Sequence, residues 1–293
     1  MQVITSVCEM QDICKTYYRA GKTIGFVPTM GYLHEGHLAL MKEARKENDI
    51  VIVSVFVNPL QFGPNEDFES YPRDVKRDEE LANELGVDYF FLPSIDAIYP
   101  EPLNTKLVAE RRVNALCGRK REGHFDGVVT VLTKLFNIVF PDHVYMGLKD
   151  AQQVAVVQGL VDDYYIPTKI VPVATVREED GLAKSSRNVY LNDNERKLAP
   201  KLYESLQKAE RLIKNGERNP ETVLKLVKDE LAKINADVDY VEIYAYPTFE
   251  ILAKLTGKIV LALAVKFSQA RLIDNIIIDV SEVCRNVSYN DEC

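Results

Sequence analysis

Two histidines three residues apart, His34 and His37, follow a short apolar run and are separated by Glu35 and Gly36. An imidazole can donate to an oxyanion, and two of them on the first turn of a helix face the same way. A helix start adds unpaired backbone N–H groups and the positive end of a dipole, so Met30, Gly31, Tyr32, Leu33, His34, Glu35, Gly36 and His37 read as a phosphate-holding turn. A surface loop with two incidental histidines is the plainer alternative. Zinc hydrolase chemistry is another, although His34-Glu35-Gly36-His37 is one residue short of the i, i+4 spacing that sets two ligands around a metal. Lys184-Ser185-Ser186-Arg187 places two hydroxyls between two cations, a donor set for phosphate oxygens, and no G-x-S-x-G elbow occurs. Lys149 reads either as a cation that neutralises phosphate charge or as a surface lysine at a helix start. Arg119 to His124 is a cationic cluster that can greet a carboxylate or simply form an exposed basic loop.

These residues need elements to hold them. Ile24 to Val27 is an apolar run bounded by Pro28, and Leu38, Met41 and Ala44 then show helical spacing, giving strand, glycine turn and helix. Ile50 to Val57 is almost continuously apolar, as a strand buried on both faces of a parallel sheet requires. Asn58 and Gln61 lie just past it. Arg73 to Leu85 reads as a helix closed by Gly86, and Val87 to Leu92 as a strand. From Val128 the apolar positions repeat at helical spacing with Asp126 as N-cap. Asp142 to Met146, a turn at Gly147 to Asp150, a helix to Tyr164 and a fifth strand at Thr168 to Val173 complete an alternating pattern. The pattern specifies an α/β doubly wound parallel sheet of Rossmann type, in which ligands collect beyond the carboxyl ends of the strands.

The pattern changes near Thr175. Helices at Asp193 to Asn215 and Glu221 to Ile234 precede strands at Tyr240 to Tyr246, Lys258 to Lys266 and Ala270 to Val280. The expected organisation is therefore a first domain over 1–175, a smaller C-terminal α+β domain over 176–285 that can serve as a lid, and a frayed tail over 286–293. The totals fit: 293 residues with 46% hydrophobic content allow two cores. A net charge of -8 argues against nucleic acid or an anionic membrane as the main partner. Five cysteines, odd in number and without C-x-x-C, point to a reducing, cytoplasmic setting, and neither an export signal nor a membrane span is evident.

Five blocks in order, Pro28-Thr29-Met30-Gly31 with His34 and His37, Phe56 to Phe62, His124 to Val128, Lys149 to Gln153 and Asp180 to Asn188, resemble the pantothenate synthetase (pantoate-β-alanine ligase) family of the nucleotidyltransferase superfamily. The resemblance implies a two-step reaction. Pantoate carboxylate attacks the α-phosphorus of ATP to give pantoyl adenylate and pyrophosphate, and the β-alanine amine then releases pantothenate and AMP. It implies that Met30 to His37, Gly147, Leu148, Lys149, Asp150, Val176, Lys184, Ser185, Ser186 and Arg187 bind ATP, with His34, His37 and Lys149 catalytic. Gln61 and Gln153 would hold pantoate, Gln61 also bordering the β-alanine site. Mg2+ is implied by the ATP chemistry with unknown protein ligands, Asp78 being considered as one, and a homodimer is implied as the assembly. The family usually has Met or Leu at Lys184 and often Glu at Leu148. Another adenylyl- or cytidylyltransferase, and a nucleotide-binding regulator without catalysis, are the competing functions.

Overall fold

The alternating signals of the first half close into one parallel sheet. In the computed structural model, which describes residues 1–64, 66–234 and 237–281, the chain forms two units: Met1–Val113 with Cys117–Val176, and Asn114–Leu116 with the chain from Arg177 onward. The expected tail over 286–293 lies outside the described residues. In chain order the first half holds β1 (Gln2–Ile4), α1 (Val7–Arg19), β2 (Ile24–Thr29), α2 (Glu35–Glu47), β3 (Ile50–Val55), α3 (Val75–Glu84), β4 (Tyr89–Phe91), α4 (Ile95–Ile98), α5 (Leu116–Lys120), α6 (His124–Val139), β5 (His143–Gly147), α7 (Ala151–Asp163) and β6 (Lys169–Val173). The strand order is β1-β4-β3-β2-β5-β6, with every pair parallel.

Because successive strand residues face opposite sides, the sheet buries two apolar layers. Phe26, Ile52 and Phe91 pack with Leu132, Leu135 and Phe136 of α6 and with α7, while Val27, Val53 and Phe90 pack with Leu40 and Met41 of α2 and Ala82 of α3. Each such fully buried side chain contributes roughly 1.5–3 kcal/mol relative to exposure. β6 is an edge strand that contains Pro172. In the second unit, α8 (Asp193–Leu198), α9 (Pro200–Lys214) and α10 (Pro220–Ala232) precede the antiparallel sheet β7 (Asp237–Ala245), β8 (Lys258–Lys266) and β9 (Arg271–Asp279). Leu261, Leu263 and Val265 of β8 meet Leu202, Leu206 and Val227 of the helices in its core.

Four elements differ from the sequence reading, each for a local reason. Gln2–Ile4 is an additional strand, so the strand at Lys169–Val173 is the sixth. Gln2–Ile4 has three residues and no readable period, and exists by pairing with Tyr89–Phe91. Strand β2 runs on through Pro28, which is paired with Ser54 of β3 beyond the point where pairing to β5 ends, so its missing N–H leaves no gap there. Asp126 is inside α6 rather than capping it. Gly123, at φ 74°, starts the helix, and the Asp126 carboxylate accepts from the Ala109 amide at 3.0 Å. The helix expected over Asp193 to Asn215 is two, because Pro200 takes the first position of α9.

Gly127, on the first turn of α6, allows that helix to touch the 3-10 turn Pro59–Gln61: a Cβ there would lie 2.3 Å from the Leu60 carbonyl oxygen and 2.6 Å from the Gln61 nitrogen. Both are backbone atoms and cannot swing away. Gly127→Ala should therefore lower stability by about 1–3 kcal/mol, read as a shift in the urea midpoint. An unchanged midpoint would show that the helix and the turn are not in forced contact.

Candidate functional site

The turn after β2 is built by hydrogen bonds that leave few of its amides for a ligand. His34 is the N-cap of α2: its Nδ1 accepts from the Gly36 amide at 3.1 Å and its side chain also from the His37 amide, while His37 Nδ1 accepts from the His34 amide at 3.3 Å. A backbone N–H can only donate, so each Nδ1 carries a lone pair and each neutral ring carries its proton on Nε2. The two rings lie with centroids 4.1 Å apart. Burial first, then His34, then the charge of Lys149, hold His37 well below the usual imidazole pKa. His37 is thus a neutral ring with its proton on Nε2, beside His34 and within reach of the charge of Lys149.

The neighbouring amides also have partners within the protein. Gly31 N donates to Thr29 Oγ1 at 3.1 Å, and Tyr32 N and Leu33 N donate to the two oxygens of Asp78 at 2.7 Å each. Of the run Met30 to His37 expected to hold a phosphate, the amides of Gly31, Tyr32, Leu33, His34, Gly36 and His37 therefore have acceptors inside the protein. Asp78, considered above as a magnesium contributor, has its carboxylate buried against the loop with one oxygen accepting from the Tyr32 amide and the other from the Leu33 amide. Among the described residues no group of three His, Cys, Asp or Glu is placed to hold a metal ion.

Gln61 ends the 3-10 turn after β3. Its Nε2 donates to Met30 Sδ at 3.1 Å and its Oε1 accepts from Asn58 Nδ2 at 3.2 Å, so Gln61 and the histidine-bearing loop are neighbours. Asn58 is 1% exposed and is itself fixed by the Gly127 carbonyl and the Tyr99 hydroxyl. The Gln61 backbone carbonyl accepts from His124 Nδ1 at 2.8 Å and from Arg121 Nη2 at 3.2 Å. Arg121 also pairs with Glu66 and donates to His124 Nε2 at 3.1 Å, which makes His124 a neutral Nδ1–H ring. Burial and the adjacent guanidinium lower its pKa to about 4. Arg121 and His124 of the cationic cluster therefore anchor the Gln61 loop.

Gly147 ends β5 and Leu148, Lys149 and Asp150 form a 3-10 turn leading into α7, which carries half-buried Gln153 on its first turn. The buried neighbour Gln152 is structural, donating to the Arg112 carbonyl at 2.9 Å and accepting from the Gly118 amide at 3.3 Å. Leu148 packs against the apolar core. Met30 to His37, Gln61 and Gly147 to Gln153 thus lie at or just beyond the carboxyl ends of β2, β3 and β5. Val176 is the last residue of the first unit, whereas Lys184, Ser185, Ser186 and Arg187 belong to the second. There Ser185 caps the 3-10 helix Ser186–Tyr190 by accepting from the Arg187 amide, and Ser186 is buried. The segment before them is stapled by Arg177, which donates to both oxygens of Asp274 and to the Gly181 carbonyl and lies 3.5 Å from the centroid of the Tyr203 ring.

Sequence reasoning left Asp78, Arg121 and His124 without their roles. One signal was available for Asp78: with Val75, Ala82 and Leu85 it falls on the inward stripe of α3, where a carboxylate needs a buried partner.

An open parallel sheet with a histidine pair capping the helix after its second strand defines a nucleotidyltransferase-type α/β protein. The family model described as pantoate-beta-alanine ligase matches residues 2–277, and the chain belongs to that family. It is 61% identical over 281 residues to the pantothenate synthetase of Geobacillus sp. (strain WCH70), covering 96% of this chain and all of the relative, and 58% identical over 285 residues to that of Bacillus subtilis (strain 168), covering 97% and 100%. Among solved structures it is similar to the pantothenate synthetase of Thermus thermophilus, with a TM-score of 0.88 at 43% identity over 96% of this chain and 99% of that one. It is also similar to the Francisella tularensis pantoate-beta-alanine ligase complexed with beta-gamma ATP and beta-alanine, with a TM-score of 0.80 at 36% identity over 94% and 97%. No helix among the described residues is long and apolar enough to cross a membrane.

The depressed values of His37 and His124 have a sign. The unfolded chain takes up these protons near the ordinary value of 6.5 while the folded chain resists, so stability falls as pH drops below 6.5, and for His124 the loss is complete near 4. At pH 6 the long-range 1H–15N spectrum should show His37 as the Nε2–H tautomer and His124 as the Nδ1–H tautomer, both neutral. An imidazolium pattern for either ring would contradict the hydrogen-bond assignment.

Proposed function

We propose that this chain condenses pantoate with β-alanine, using ATP and passing through pantoyl adenylate, and that the convergence of His34, His37, Lys149 and Gln61 on the carboxyl end of the sheet carries the chemistry. A pantoate carboxylate oxygen attacks the α-phosphorus, the bond to the bridging oxygen breaks, and pyrophosphate leaves. Negative charge builds on the phosphate oxygens in that step. Two preset Nε2–H donors and a lysine stabilise such charge without reorganising, which is where electrostatic catalysis gains most. His37, kept neutral, acts as a hydrogen-bond donor to the phosphates. In the second step the β-alanine amine attacks the acyl carbon, loses a proton and expels AMP. No covalent enzyme intermediate is required, and positioning supplies the rest.

In this reading Met30 to His37 and Gly147 to Asp150 line the ATP site, and Gln61 and Gln153 orient pantoate, Gln61 also bordering β-alanine. Val176, Lys184, Ser185, Ser186 and Arg187 complete the phosphate contacts. Mg2+ arrives with ATP on its phosphate oxygens as part of the substrate. A cytoplasmic homodimer is the assembly the reading carries with it. In favour are the geometry of the histidine pair and family membership over nearly the whole chain.

Pantoate-dependent exchange of labelled pyrophosphate into ATP tests the adenylation, and release of AMP with pantothenate tests the whole reaction. Exchange that needs a phosphorylated acceptor instead of pantoate would assign the chain to nucleotidyl transfer. His37→Ala and Lys149→Ala should each reduce the exchange rate by about 10²–10³-fold; Lys149→Ala should leave the melting temperature nearly unchanged, whereas His37→Ala also loses the capping bond to the His34 amide and should cost about 1 kcal/mol of stability. Turnover near the parent level in either variant rejects that residue's role.

A further inference from the structure

Behind the loop that ends in His34 lies a carboxylate that the proposed reaction does not itself use. Asp78 is 1% exposed, and its two oxygens accept from the Tyr32 and Leu33 amides at 2.7 Å each. The loop is bent for this contact: Gly31 and Tyr32 both have positive φ, 84° and 51°, and for a tyrosine that backbone is strained. Successive N–H groups turned to one side make a concave site for an anion. Here the anion is one of the protein's own side chains. Space is tight, since a Cβ on Gly31 would come within 3.1 Å of Asp78 Oδ2 and 2.8 Å of Val55 Cγ1. On the adjoining position Arg77 donates to the Leu33 carbonyl at 2.8 Å and stands 5.7 Å from the centroid of the Tyr32 ring. Leu33 is thus held by α3 through both its amide and its carbonyl, and the next residue is the histidine N-cap.

We propose that Asp78 is a positioning residue: its carboxylate fills the anion site of the Tyr32 and Leu33 amides and so fixes the direction in which His34 and His37 present their Nε2–H groups. The inference rests on the reading of those histidines as the phosphate donors. The ionised form is the stronger acceptor for the two amides. Burial pushes the Asp78 carboxyl above the usual range, and the two amide bonds pull it back. A cavity of about 210 Å³, lined in part by Val55, Phe56, Phe68 and Leu92, adjoins Asp78. Truncating the side chain therefore opens room for a small free carboxylate.

The test compares the full-length protein with Asp78→Asn and with Asp78→Ala, the latter with and without sodium formate. It reads kcat and KM for pantoate-dependent pyrophosphate exchange, and the imidazole 15N shifts. Asparagine keeps one acceptor and turns an N–H toward the second amide. In that variant kcat should fall about thirtyfold or more, while KM for pantoate stays within about threefold because Gln61 is held from α6 and not from α3. The spectrum should lose the fixed Nε2–H tautomers of His34 and His37. For Asp78→Ala the loss should be deeper, and formate should restore about tenfold where chloride does not. If Asp78→Asn does not fold, Asp78→Glu serves in its place: it keeps the charge, displaces it by one methylene, and should fold with kcat reduced about tenfold. A kcat within about threefold of the parent, or unchanged histidine tautomers in a variant that folds, overturns the proposal. A parent protein inactive with pantoate would instead overturn the functional reading, and the tautomer spectra would still decide what Asp78 does.

Discussion

A backbone amide that is turned inward must find an acceptor, and between Gly31 and His37 that requirement decides the shape of the site. Thr29 serves Gly31, Asp78 serves Tyr32 and Leu33, His37 serves His34, and His34 serves Gly36 and His37. An unpaired buried donor costs about 1–3 kcal/mol, so these assignments together leave the turn little freedom. The chemistry follows from which atom each acceptor uses. Since both imidazoles accept through Nδ1, the same bonds that cap the helix set the tautomers.

The wall opposite the histidines obeys the same logic with different groups. The Gln61 carbonyl is pinned by His124 and Arg121, and its side-chain amide is aligned by Asn58 and Met30. Asn58 in turn is held by a helix carbonyl and the Tyr99 hydroxyl. Gln61, like the two histidines, thus has other protein groups fixing its orientation.

The parallel sheet, the histidine-capped helix and the α+β second unit were legible because their signals are local: apolar runs at Ile24 and Ile50, a glycine turn, and helical spacing from Val128. Gln2–Ile4 was not, since three residues carry no period and the strand is stabilised by a distant partner, Gln2 pairing with Tyr89. Asp126 has the side chain of a cap and occupies a helix start, yet a distant amide at Ala109 claims it and Gly123 takes the turn. The site divides along the same line. His34, His37, Gln61 and Lys149 are recognisable by spacing and resemblance. The supports are not, because Asp78 acts on amides 45 and 46 positions away and His124 on a carbonyl 63 away. Contacts of that range appear only once the chain is folded.

Pro172 in β6 bears on how copies of this chain can meet. It is paired with Met146 on its inner side and sits at the sheet's margin, where a proline has no hydrogen to offer an incoming strand. A neighbour laid alongside would find an interrupted ladder and a lysine, Lys169, at its start. Growth of the six-stranded sheet in that direction is therefore disfavoured, and self-association of this chain across the Lys169–Val173 border is better served by side-chain packing than by backbone pairing.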